Sequence, residues 1–230
     1  MRIPQLDRKS WILLGAFAGL TALGGARLDI PVAAWLAPVF GLRFMRTHEK
    51  ARRGFWMMVL AGTIATLLGS YGISLFYPVL SRGHAVLGFV GEVLFMAISV
   101  TLGTLVYAID RWVLRRWFEY PGRAFFVATL VFPITVTALD FGGGGPLGTF
   151  GATAYSNYGW LPVMQFAAVA GLWGIAFLMA WFASTANYVW ESDFNWRKAA
   201  PGVAVYGTIL LIVVGFGAVS YTHLRAHETA

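Results

Sequence analysis

The sequence predicts an all-α, polytopic membrane helix bundle with about seven transmembrane helices. Three observations carry that prediction. The 230 residues are 58% hydrophobic and 16% aromatic but only 12% charged, whereas an average soluble domain carries about 25% charged residues. So little charge leaves too little polar surface to coat a globule in water. The apolar residues fall in runs long enough to approach the roughly 20 residues that cross a bilayer. The basic residues stand in short clusters between those runs.

The runs cover residues 11–26, 32–45, 54–77, 84–109, 124–139, 160–190 and 200–218. The second and fifth are short, and Pro38 and Pro133 are expected to kink them. The sixth is long enough to tilt, or to begin along the membrane surface. The first follows Arg2, Arg8 and Lys9, as a signal sequence would, but further runs make it a retained signal-anchor helix. Together they form one transmembrane domain, residues 1–218.

Lysine and arginine placement orients the bundle. The N-terminus and the connections after runs two, four and six hold 14 Lys and Arg residues, Arg111 counted among them. The other side holds Arg27 and Arg82 before the final tail. The positive-inside rule then places the N-terminus in the cytoplasm and the end of run seven outside. The net charge of +7 is explained by topology, and nucleic acid is not expected as a partner. Trp11, Tyr77, Trp112, Trp117, Tyr120, Tyr155, Tyr158, Trp160 and Trp190 lie near run ends, where an interfacial aromatic belt is expected.

Cysteine is absent, which excludes disulfides, thiolate metal sites and a cysteine nucleophile within this chain. His48, His84, His223 and His227 form no metal-ligand pattern inside the bundle, and no P-loop, GxSxG or HExxH motif occurs. No catalytic residue, cofactor or metal is therefore assigned.

The residues singled out for lipid or interface roles are Glu92, Asp140, Tyr155, Ser156 and Gln165. Glu92 lies about a third of the way into run four, and an ionisable group at membrane depth is a functional candidate; a hydrogen-bonded carboxyl facing the bundle interior is the plain alternative. Asp140 ends run five, where a solvated carboxylate is expected. Gln165 and Asn187 on run six suit interhelical hydrogen bonds, and Gly171 and Gly174 share a helix face suited to close packing. Residues 142–158 read as a glycine-rich loop: either a flexible connector or a lip against which a partner domain or lipid packs.

No charged residue occurs between Asp140 and Glu191, and that stretch carries a resemblance. Gly148-Thr149-Phe150-Gly151, Ala154-Tyr155-Ser156-Asn157, Leu161-Pro162 with Gln165, the run from Gly171 to Leu178, and Asn187 resemble the membrane domain of apolipoprotein N-acyltransferase and its carbon–nitrogen hydrolase relatives. Trp35-Leu36-Ala37-Pro38 adds weaker support. Residues 142–145, all glycine, stand where the family carries arginine and aromatic residues. The resemblance implies location in the bacterial inner membrane and a nitrilase-like domain with a Glu-Lys-Cys triad after the seventh helix. It also implies transfer of an acyl chain from a membrane phospholipid to a lipoprotein amine. The triad is not in this chain, so on this reading the chain alone is inactive. Its partners would be phospholipid, the missing C-terminal catalytic domain and a lipoprotein substrate.

Residues 219–230 read as a tail foreign to the gene, because 219–229 match one reading frame of a transposase adapter used in sequencing libraries. Native sequence is expected to end near Gly217 or Ala218. Two rival readings are a small transporter or channel subunit, with Glu92 lining a polar pathway, and a membrane scaffold without chemistry.

Overall fold

A computed structural model describes residues 7–71, 83–117, 125–147, 149 and 151–228. Among these residues the regular structure is entirely helical. In chain order the helices are α1 (Arg8–Leu23), α2 (Pro31–Thr47), α3 (Ala51–Gly69), α4 (Ala85–Trp117) and α5 (Phe125–Leu147). A 3₁₀ turn (Thr153–Asn157) follows, then α6 (Leu161–Met164), α7 (Ala167–Glu191) and α8 (Trp196–Glu228). Four of them, α4, α5, α7 and α8, are long and apolar enough to cross a membrane. The first two helices have 16 and 17 residues, and α3 opens on Arg52 and Arg53. The chain is therefore polytopic: among the described residues four helices qualify as spans by length and composition, and the expected seven are not confirmed.

Many of the helices' hydroxyls bond within their own helix, although those of Thr63, Thr137, Ser184 and Thr185 are buried without a hydrogen-bond partner. Hydrocarbon offers no water to a backbone or hydroxyl group, so bonds within the protein take its place. Threonine hydroxyls donate to the carbonyl one turn back: Thr21 to Phe17 (2.7 Å), Thr101 to Ala97 (2.6 Å), Thr104 to Val100 (2.7 Å) and Thr129 to Phe125 (2.9 Å). The described side chains left exposed on α4 are apolar apart from Ser99 and, near its end, Arg115 and Arg116, and include Val86, Phe89, Leu94, Ile98, Leu102 and Leu105.

The chain forms two units, residues 1–108 and 109–230. The first packs α1, α2 and α3 around Leu14, Phe17, Ala37, Phe44, Met45 and Met58. Gly41 makes room for two rings: a Cβ there would lie 2.9 Å from both Phe17 and Tyr107, which meet edge to face at 6.0 Å. Further along, Gly69 touches main chain, and a Cβ on it would sit 2.7 Å from the Ala22 carbonyl oxygen. Lipid tails are as apolar as leucine, so close approach of this kind, through van der Waals contact, holds helices together in a membrane. Asp7 caps α1 by accepting from the Ser10 amide at 3.0 Å, and its bonds to Ser10 hold its carboxyl below the usual range.

The second unit packs α5, α7 and α8. Trp181 Nε1 donates to Thr129 Oγ1 at 3.2 Å, and Tyr206 donates to the Leu178 carbonyl at 3.2 Å while its ring meets Trp181 edge to face. Phe125 lies edge-on to Tyr188 at 5.2 Å and packs directly over Gly202.

Several boundaries differ from the sequence reading. The fifth run extends as helix through residues 142–145 to Leu147, and α2 and α5 run continuously through Pro38 and Pro133. Arg111, expected in a basic connection, is inside α4 and buried, next to buried Asp110. The last helix continues past Ala218 to Glu228. The end of run three, residues 72–77, lies outside the described residues.

Gly69→Ala is expected to destabilise the first unit by about 1–3 kcal/mol, because the obstacle is backbone that cannot rotate away. Gly19→Ala, with nothing within 4 Å of the new methyl, should be neutral or gain up to about 1 kcal/mol of helix propensity. Thermal unfolding midpoints of the two variants in detergent check this.

Candidate functional site

The charge-free stretch after Asp140 folds in a way the apolar pattern does not announce. The expected single helix over 160–190 is divided. Leu161–Met164 forms one turn, opened by Pro162 in its first turn, where a missing amide hydrogen is harmless. Gln165 and Phe166 lead into α7, and α7 is itself interrupted at Gly171, whose φ of 64° and ψ of −178° fall in a region open essentially to glycine alone. The straight part of α7 therefore starts after residue 171.

Residues 151–170 are likewise not a slack connector. Their amides bond locally in succession: Ala152 to Thr149, Tyr155 to Ala152, Tyr158 to Tyr155, Trp160 to Asn157, Val163 to Trp160 and Gln165 to Leu161, all at 2.7–3.1 Å. Three side chains anchor them. Asp140 Oδ2 accepts from the Thr153 amide at 3.1 Å and so caps the 3₁₀ turn. Asn157 is fully buried and its Nδ2 donates to Ala154 O at 3.2 Å and to Met179 Sδ on α7 at 3.0 Å. Tyr155 donates to Thr149 Oγ1 at 2.7 Å.

Close glycine contacts seat the segment. Gly217 on α8 lies against the Pro162 carbonyl, so that a Cβ there would collide with it. Gly174 receives Ala170 and the Phe166 ring, so the chain before the Gly171 break folds back onto the helix after it. The sequence reading gave Gly171 and Gly174 one packing role. Gly174 has that role; Gly171 provides the break.

Of the five residues singled out for lipid or interface roles, Tyr155, Ser156 and Gln165 lie in this segment and Asp140 bonds to it. Asp140 is half-buried and holds the turn. Tyr155 is exposed at its rim. The Ser156 hydroxyl donates to Thr153 O at 2.8 Å. Gln165 follows α6, and its Oε1 accepts from Ser220 Oγ at 3.4 Å. Glu92 belongs to the first unit and is 9% exposed within α4. Asn187, expected to bond between helices, is buried and donates to Ala183 O of its own helix at 3.0 Å. Asn157 and Met179 are the contributors that spacing could not find, because their contact joins residues 22 apart across a turn.

The arrangement offers hydroxyls, an amide and one carboxylate around a turn lodged between apolar helices. Among the described residues of the segment, no nucleophile and base lie within reach of one another. Gly171→Ala should cost about 1–3 kcal/mol of stability through backbone strain. Gly159→Ala, in open space, should leave the unfolding midpoint within the error of the parent, and equal midpoints for both variants would contradict the assigned break.

A family model described as the apolipoprotein N-acyltransferase N-terminal domain matches residues 17–185, from within α1 into α7. The apolipoprotein N-acyltransferase of Geobacter metallireducens is 24% identical over 235 residues, a match covering 99% of this chain and 42% of that protein. The chain thus spans less than half the length of that curated relative. With most of its length matched by the family model, the chain belongs to the apolipoprotein N-acyltransferase N-terminal domain family.

Proposed function

We propose that this chain is the membrane-embedded, N-terminal part of an N-acyltransferase that moves an acyl chain from a phospholipid to the amine of a lipoprotein. The observation that carries this reading is the family match over residues 17–185. In the intact enzyme this part anchors the catalytic part at the outer face of the bacterial inner membrane. Its N-terminus faces the cytoplasm, as the distribution of lysine and arginine favours.

The division of labour follows from residue chemistry. Acyl transfer to an amine through a covalent intermediate needs an activated nucleophile, and this chain has no cysteine to supply a thiolate. What it has is a set of apolar helix faces that accept acyl chains, and a polar turn between them. On this reading Asp140, Tyr155, Ser156 and Gln165 hold or border the donor lipid's polar region, and Glu92 is a buried carboxyl on α4.

The chain alone, in vesicles containing phosphatidylethanolamine, should transfer no acyl group to a diacylated lipopeptide. A chimera in which it replaces the matching part of the Geobacter metallireducens relative should restore lipopeptide N-acylation, read by mass spectrometry. Transfer by the chain alone, or an inert chimera that is stably inserted, would count against the assignment.

A further inference from the structure

We infer that residues 151–170 form a re-entrant element seated in the membrane, with Leu161 and Val169 facing lipid at the bilayer interface. The inference rests on reading the chain as a membrane-embedded domain and identifies what covers the rim of the polar turn.

Depth along α7 is the first argument. Phe141 and Trp173 meet edge to face at 5.9 Å, which sets α5 and α7 level with each other at this end of the second unit. Between Trp173 and Glu191 a straight helix rises about 27 Å, close to the hydrocarbon thickness of a bilayer. The pair therefore marks the membrane boundary. The 3₁₀ turn reaches below it, since Asn157 and Ser156 touch Met179 Sδ at 3.0 and 4.0 Å. Met179 is six residues past Trp173, about 9 Å deeper along the axis, and its side chain leans back by only part of that distance. A turn without a charged side chain of its own can sit there because many of its amides and polar side chains bond within the segment, to the Asp140 carboxylate or to Met179. Irregular backbone at such depth is tolerated only when protein buries it, and Ala154, Asn157 and Val163 are each 0% exposed.

The rim supplies the second argument. Tyr158, Leu161 and Val169 are 68%, 42% and 65% exposed, and Phe141, which meets Trp173, is 67% exposed. On α5, Phe126 and Ile134 are exposed as well. Residues 141–190 contain no charge, whereas the connection from α7 to α8 carries Asp193, Arg197 and Lys198. A loop in water would have no reason to avoid charge for so long. An exposed apolar rim on a charge-free segment that reaches below the membrane boundary identifies the occupant as lipid of the bilayer.

The chain lacks cysteine, so single-cysteine variants can be labelled at one site each. Leu161→Cys and Val169→Cys would carry an environment-sensitive fluorophore in the full chain, reconstituted in phosphatidylethanolamine–phosphatidylglycerol vesicles. Arg52→Cys serves as a water-facing reference and Leu102→Cys, on α4, as a lipid-facing one. Nitroxide-bearing lipid should quench the labels at 161 and 169 more than iodide present on both sides of the membrane does, with the reverse order at 52. Stronger iodide quenching at either 161 or 169, with 102 still quenched by lipid, would overturn this inference and leave the membrane reading intact. Stronger iodide quenching at 102 as well would overturn both.

Discussion

A residue without a side chain is required at position 171. The positive φ and extended ψ found there are strained for any other residue, and the second unit's outer architecture depends on that break. Because the chain turns aside at Gly171, the helix after it is short enough to match a bilayer. The ten residues before it are free to fold back over its end. Phe166 and Ala170 then lie on Gly174, and Pro162 lies on Gly217. A continuous helix from 160 to 190 would carry this apolar segment out into water and leave Asn157 with no Met179 to meet.

Each contact that seats the segment follows from the same shortage of water. Asp140 spends its carboxylate on a backbone amide, Asn157 on a carbonyl and a thioether, and Tyr155 on a threonine hydroxyl. An unmet hydrogen-bonding group in hydrocarbon costs several kcal/mol, so a polar turn lodged there must be bonded throughout. The result is a rigid polar island among apolar helices.

How much of this was legible in the sequence depends on what the membrane constrains. Two helix positions were legible from their apolar content. The runs at 32–45 and 200–218 fall within α2 and α8, and the family resemblance was legible in residues such as Leu161, Pro162 and Gln165. Glycine was misleading. Four consecutive glycines at 142–145 would cost a helix in water about 4 kcal/mol relative to alanine, which is why they read as loop. At a membrane boundary, intrahelical bonds are the main partners left to that backbone, and α5 continues through them to Leu147. Gly171 sat in a run of small residues where close packing was the natural expectation, and nothing in the local pattern separates a packing glycine from a breaking one. Arg111 counted as loop because basic clusters usually are; here it is buried within α4. The Asn157–Met179 bond joins separate elements and has no periodicity to betray it.

The central claim is that residues 151–170 are a folded, inserted part of the membrane domain. Amide hydrogen exchange of the full chain in lipid nanodiscs tests it most directly. The account predicts that the amides of Tyr155, Tyr158, Val163 and Gln165 exchange slowly, on the timescale of amides within α7, because each is bonded locally and shielded from water. Exchange of those amides as fast as in an unstructured peptide, with α7 still protected, would contradict it.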